Sequence, residues 1–181
     1  MTPGIGGGIG TVALAAAFLA GCGSPEATSP VASESASPAQ AESHRVRHLT
    51  IRTTDGRTLS VPDPQRPTVV YFMAAWCVSC IQGARQMANL QREYGARGLQ
   101  VLAIDADQAE TAENLARFRG LAGDPEYDWA LDTDGRITQA LAIRSLDATL
   151  LVSPKGEVLF RSESLPNPNT LRRAVQLALG L

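Results

Sequence analysis

Lysine is nearly absent from this chain: Lys155 is the only one in 181 residues, and the other basic side chains are arginines scattered among acids. With a formal net charge of -2 and no basic cluster, the sequence lacks the charged face that a nucleic-acid partner requires, so no nucleic acid is expected. Histidine is limited to His44 and His48, and cysteine to Cys22, Cys77 and Cys80. One Cys-x-x-Cys with both histidines far upstream does not make a structural zinc site, which needs four ligands at set spacings. No metal and no cofactor is therefore expected. No apolar run reaches the roughly 20 residues of a membrane-spanning helix. There is no internal repeat, and the length suits one core of ordinary size.

The N-terminal region has its own logic. Residues 11–20, TVALAAAFLA, form an apolar segment of the length found in the core of a secretion signal. Leu19, Ala20, Gly21 and Cys22 follow and resemble the lipobox of bacterial lipoproteins, although no Lys or Arg precedes the apolar segment. That resemblance implies that residues 1–21 are a removed signal peptide and that Cys22 is lipidated. Residues 22–44 are rich in Ser, Pro, Ala and Glu and cannot bury enough apolar surface to offset their ordering entropy. They read as a flexible tether, and the folded domain is expected to cover 45–181.

From Arg45 onward the periodicities are legible. Val46, Leu49 and Ile51 precede Asp55-Gly56, a hairpin turn signal, so a β-hairpin should open the domain. Residues 68–74, TVVYFMA, form a continuous β-branched and aromatic run, as expected for a strand covered on both faces. Residues 79–94 carry Cys80, Ala84, Met87, Leu90 and Tyr94 at helical spacing, with Gly95 and Gly98 as stop signals. A buried strand LQVLAID, a helix over 109–121, a strand YDWALD and a helix over 134–142 follow. The stretch ATLLVSPKGEVLFRS reads as a hairpin around Ser153-Pro154-Lys155-Gly156, and Leu171, Ala174, Val175, Ala178 and Leu179 mark a terminal amphipathic helix. The alternation predicts an α/β fold: a central mixed β-sheet with helices on both faces and an extra N-terminal β-hairpin.

Cys77 and Cys80 fall where the central strand gives way to a helix. Amide N–H groups and the macrodipole at a helix N-terminus favour negative charge, so the spacing predicts a stabilised thiolate at Cys77 and a more buried thiol at Cys80. Two sulfurs so placed can divide the work of disulfide exchange. Cys77 attacks a partner disulfide, and Cys80 then attacks the Cys77 sulfur to release the product. Val78 and Ser79 set the helix start and the local field, with Ser79 placed either to hydrogen-bond the Cys77 sulfur or to cap the helix. A purely structural disulfide is the weaker reading, because a bridge closing so short a loop constrains the unfolded chain little. Both histidines read as solvated side chains.

The run FMAAWCVSC between strand and helix, followed by VLAID, an LD strand and the LLVSPKGEV hairpin with its terminal helix, resembles the thioredoxin-like fold. With the secretion signal, tether and extra hairpin, the chain is most similar to the TlpA-like extracytoplasmic thiol-disulfide oxidoreductases. The resemblance implies Cys77 as nucleophile, Cys80 as resolving thiol and Trp76 as the aromatic flank where partners dock. It also implies lipid anchoring at the extracytoplasmic face of a bacterial cell membrane. Substrate proteins with disulfides or thiols and a membrane electron donor would be its partners.

Three departures from the family pattern stand out. The family's cis-proline before the penultimate strand corresponds here to the Leu146-Asp147 step. A cis bond before a non-proline residue costs about 3–4 kcal/mol, so a trans peptide is predicted there. Asp147 would then face the Cys77 sulfur, where its charge repels a thiolate, or serve as proton acceptor for Cys80. The acid often buried beneath the site is replaced by Tyr71, and the residues usually Glu and Pro after the second cysteine by Gly83 and Arg85.

Two classes of function remain open. The first is a membrane-anchored thiol-disulfide oxidoreductase acting on exported proteins, principally as a reductase. The alternatives are a thioredoxin-fold binding module or metal/thiol chaperone, and a peroxide-reducing redoxin. Copper insertion lacks a third ligand beside the two cysteines. Peroxide reduction in the resembling peroxiredoxins needs a Thr three residues before the cysteine, where this chain has Ala74.

Overall fold

The computed structural model describes residues 45–181. The expected signal peptide 1–21, the lipidation site Cys22 and the tether 22–44 lie outside the described residues, as does His44. The opening hairpin pairs β1 (Leu49–Arg52) with β2 (Thr58–Val61) in antiparallel register around Asp55-Gly56. Gly56 takes φ 88, the left-handed conformation that such a turn demands and that glycine supplies without a steric penalty. The hairpin is a separate two-stranded sheet, fastened to the body by the Thr54 N–H donating to the Trp129 carbonyl.

The main sheet contains β3 (Thr68–Met73), β4 (Gln100–Asp105), β5 (Asp128–Leu131), β6 (Thr149–Val152) and β7 (Val158–Ser162) in the order β5-β4-β3-β6-β7. β3 and β4 run parallel, as do β4 and β5, while β6 is antiparallel to both β3 and β7. The central position of β3 follows from its composition. All six residues are buried, with Val69, Tyr71 and Met73 in one core layer and Val70 and Phe72 in the other. A strand with no polar side able to face water has to be covered on both faces.

Four helices complete the domain: α1 (Cys80–Tyr94), α2 (Ala112–Ala122), α3 (Arg136–Ala140) and α4 (Pro168–Leu179). Met87 of α1, Leu115 and Phe118 of α2, and Leu171 and Val175 of α4 share the layer containing Tyr71. Ile137 of α3 and the hairpin residues Ile51 and Val61 cover the opposite layer. Helices thus lie on both faces, but the hairpin does much of the covering on the second. The architecture is the expected α/β one, with two helix boundaries corrected. α2 begins at Ala112, not near residue 109, because the Thr111 hydroxyl accepts from the Asn114 N–H and caps it there. α3 is a short helix over Arg136–Ala140, not 134–142, since buried Asp132 takes the Ile137 and Thr138 N–H groups and starts it late. No helix among the described residues is long and apolar enough to cross a membrane.

Candidate active site

The residues after β3 carry the chemistry. The chain leaves the strand at Met73 and turns through Ala74 to Ser79 before α1 begins at Cys80. Cys77 and Cys80 are joined as a disulfide with a Cα–Cα distance of 5.3 Å. Cys77 is 8% exposed and Cys80 fully buried, so one sulfur borders solvent and the other lies beneath it. Cys77 precedes the first helical residue instead of occupying it. The Cys80, Ile81 and Gln82 N–H groups donate to the carbonyls of Cys77, Val78 and Ser79 at 3.1, 3.3 and 3.3 Å. Three amides at the start of α1 are thus engaged in local bonds, and the helix macrodipole acts on the sulfur from below.

Trp76 and Val78 flank Cys77 and are 64% and 79% exposed. Two large apolar side chains held in water beside a reactive sulfur form a surface suited to an apolar partner segment. Leu146, part-buried, packs against the core layer that contains Cys77 and Cys80. Of the two uses expected for Ser79, the structure contains the first: its Oγ lies 3.3 Å from the Cys77 Sγ and makes no capping bond to the helix.

Asp147 lies across from the disulfide. The Leu146–Asp147 peptide is trans, and Asp147 takes φ 63, a left-handed conformation unusual for a residue with a Cβ. Backbone pairing holds it there: the Asp147 N–H donates to the Phe72 carbonyl and the Phe72 N–H to the Ala148 carbonyl, both at 2.9 Å. An Asp147 carboxylate oxygen and the sulfurs of Cys77 and Cys80 all lie within 4.8 Å of one another. With both sulfurs in a disulfide, the pair offers no thiolate to a metal. In the reduced form the third ligand would be a hard carboxylate oxygen, poorly matched to the soft cuprous ion of a copper chaperone. Tyr71 lies beneath the site, its hydroxyl 2.5 Å from Asp147 Oδ1 and 3.1 Å from the Cys80 carbonyl oxygen. Burial, with the Asp147 carboxyl beside it, raises the Tyr71 phenol far above its ordinary value, so Tyr71 stays protonated. Arg85 has a separate task and ties α1 to the end of α2 through the Leu121 and Ala122 carbonyls. His48 is exposed and His44 lies outside the described residues.

Sequence reasoning missed two acids. Asp105, at the buried end of β4, accepts from the Ala75 N–H at 2.8 Å and the Asp107 N–H at 3.0 Å, which clamps the loop leading to Cys77. Burial, the strongest influence, pushes its carboxyl up to about 6, against the pull of those two amides. Asp107 accepts from Trp76 Nε1 at 2.7 Å and fixes the exposed indole. An aspartate ending an otherwise apolar strand was the available signal for the first; the second carried none.

Comparison with known proteins agrees with this geometry. The chain is 24% identical over 114 residues to the thiol-disulfide oxidoreductase ResA of Bacillus subtilis strain 168, covering 62% of each chain. It is 18% identical over 108 residues to the sporulation thiol-disulfide oxidoreductase A of the same organism, covering 60% of this chain and 66% of the relative. The chain thus spans 62% and 66% of the length of these two relatives. Among solved structures, a thioredoxin-like protein from Aeropyrum pernix superposes with a TM-score of 0.62 at 24% identity, over 72% of this chain and 89% of that one. A thiol:disulfide interchange protein of the thioredoxin family from Chlorobium tepidum superposes with a TM-score of 0.64 at 20% identity, over 75% and 96%. The fold is thioredoxin-like. The AhpC/TSA family pattern matches residues 43–161, from the edge of the expected tether through the opening hairpin, the disulfide and the closing strands, and the chain belongs to that family.

Proposed function

We propose that this protein is a thiol-disulfide oxidoreductase that exchanges its Cys77/Cys80 dithiol with disulfides of exported proteins, acting as a reductase. The observation that carries the reading is the disulfide itself, with Cys77 at the solvent edge, Cys80 buried and the exposed Trp76 and Val78 beside them. The Cys77 thiolate attacks a partner disulfide, forming a mixed disulfide and releasing one partner thiolate. Cys80 then attacks the Cys77 sulfur, forming the Cys77–Cys80 bond and releasing the second partner sulfur. Two electrons pass to the partner, and a membrane electron donor restores the dithiol. The relatives' names as thiol-disulfide oxidoreductases support the chemistry. The Asp147 carboxylate near both sulfurs supports the direction, because a negative charge there penalises the thiolate and makes the reduced protein a stronger electron donor. Against peroxide reduction at Cys77, the position three residues before it holds the buried, apolar Ala74 where the resembling peroxiredoxins have Thr.

The reading includes a lipid anchor at Cys22 on the extracytoplasmic face of the cell membrane, with residues 22–44 as tether. The apolar segment 11–20 and the Leu19-Ala20-Gly21-Cys22 sequence support it. Replacing Cys80 by Ser tests the exchange: C80S is expected to accumulate mixed disulfides with partner proteins through Cys77, sensitive to reductant and absent from C77S. A pure binding module would trap none. Growth with a labelled fatty acid tests the anchor: label is expected on the native chain and not on C22S, and equal labelling of both contradicts it.

A further inference from the structure

Three residues from separate elements meet at the disulfide: Tyr71 from β3, Gly83 from α1 and Asp147 from the turn before β6. The Tyr71 hydroxyl has one proton and two acceptors, Asp147 Oδ1 at 2.5 Å and the Cys80 carbonyl oxygen at 3.1 Å. It can donate to only one of them at a time. With Asp147 ionised, the phenol donates to the carboxylate. With Asp147 protonated, the carboxyl donates to the phenol oxygen and the phenol turns to the Cys80 carbonyl. Both protonation states of Asp147 therefore have a complete set of partners, and only a hydrogen position changes between them.

The surroundings are fitted to this pair. A Cβ at Gly83 would collide with the Tyr71 hydroxyl and lie 2.8 Å from Asp147 Oδ1, so the helix leaves the space open there. Asp147 is held in a left-handed conformation by its backbone bond to Phe72, which keeps the carboxylate within 4.8 Å of both sulfurs. Strain maintained by surrounding pairing at a reactive site is characteristic of a functional position. The titratable groups facing Asp147 are Tyr71, Cys77 and Cys80; among the described residues it has no basic side chain as partner.

We infer that Asp147 is the proton acceptor for Cys80, with Tyr71 as its positioning residue, in the step that releases the bound partner. The inference rests on the exchange reading above. In that step Cys77 is tied up in the mixed disulfide and carries no charge, so an ionised Asp147 meets no repulsion. The Cys80 thiol gives its proton to the Asp147 carboxylate, and its sulfur attacks the Cys77 sulfur. The Cys77–Cys80 bond forms, the bond from Cys77 to the partner breaks, and the partner leaves as a thiolate that takes up a proton from Asp147 or water. The same carboxylate thus opposes the first step, which needs a Cys77 thiolate, and promotes the second.

That opposition supplies the test. The full-length chain carrying C22S, so that Cys77 and Cys80 are its only thiols, is reduced beforehand, freed of reductant and mixed with a symmetrical aromatic disulfide whose thiolate is coloured. The first coloured equivalent reports attack by Cys77, and the second reports attack by Cys80. D147N is expected to release the first equivalent faster and the second more slowly by about a hundredfold or more, the usual contribution of a general base. The second phase should also lose its acid limb against pH. Y71F is expected to slow the second phase less and to displace that limb. An unchanged second phase in D147N overturns the inference, as does equal slowing at every pH with the limb retained, which would indicate a merely structural role. Where D147N does not fold, Y71F carries the same test. A native protein that releases no coloured thiolate at all contradicts the exchange reading instead.

Discussion

Gly83 shows how strongly one residue can be constrained by its neighbours. In an exposed helix interior, glycine costs about 1 kcal/mol relative to alanine. At this position of α1 an added methyl would collide with the Tyr71 hydroxyl and crowd Asp147 Oδ1. Overpacking of a filled interior costs about 1–3 kcal/mol, so G83A is expected to lower the thermal midpoint despite its better helix propensity. Thermal unfolding followed by circular dichroism checks it, and a raised midpoint would contradict the close fit of Tyr71 and Asp147 against Gly83. Cys77, Cys80 and the flanking Trp76 and Val78 were legible because a Trp-Cys-x-x-Cys after a buried apolar run is a specific pattern. The Tyr71–Asp147 bond was not, because it joins residues separated by 76 positions and no local pattern reports so distant a contact.

At the scale of elements, the end of β4 governs the active-site loop. Asp105 is fully buried and its carboxyl is pushed up from 3.8 to about 6, with burial as the main cause. Because the folded value lies above the unfolded one, the native state holds this proton more tightly. The contribution of Asp105 to stability is therefore fully present below about pH 4 and lost as pH rises through about 6, the reverse of an ion-paired carboxylate. The unfolding free energy of the native protein relative to D105N is expected to fall across that interval by about 2–3 kcal/mol. Denaturant titrations of both proteins at several pH values measure it, and a difference that rises with pH would contradict the assignment. Strand and helix identities were readable from periodicity, since β3 is apolar throughout and α4 repeats its apolar residues at helical intervals. Helix starts were less so. Thr111 caps α2 at the position its side chain selects, and Asp132 reaches forward to start α3; both are capping choices that competing turns in the sequence obscured.

For the whole molecule, the order of strands and helices follows from the β-α-β alternation and the closing hairpin, which is why the thioredoxin-like architecture could be anticipated. The division of labour between layers could not be anticipated. Whether a helix or the opening hairpin covers a given face depends on which apolar residues meet across the sheet, as Ile51 and Val61 do with Val70 and Phe72. One face buries α1 and Cys80, while Cys77 lies at the solvent edge beside the exposed Trp76 and Val78. Asp147 adds a negative charge close to a couple whose reduced form must carry a thiolate, and this bears on the redox balance of the entire protein. The most direct test of the reductase reading is the reduction potential of the Cys77/Cys80 couple in the full-length chain, by thiol trapping across a graded redox buffer. A value below about -250 mV is predicted, in the range of thioredoxin-like reductants; one above about -150 mV would place the protein among oxidants that install disulfides and contradict the account.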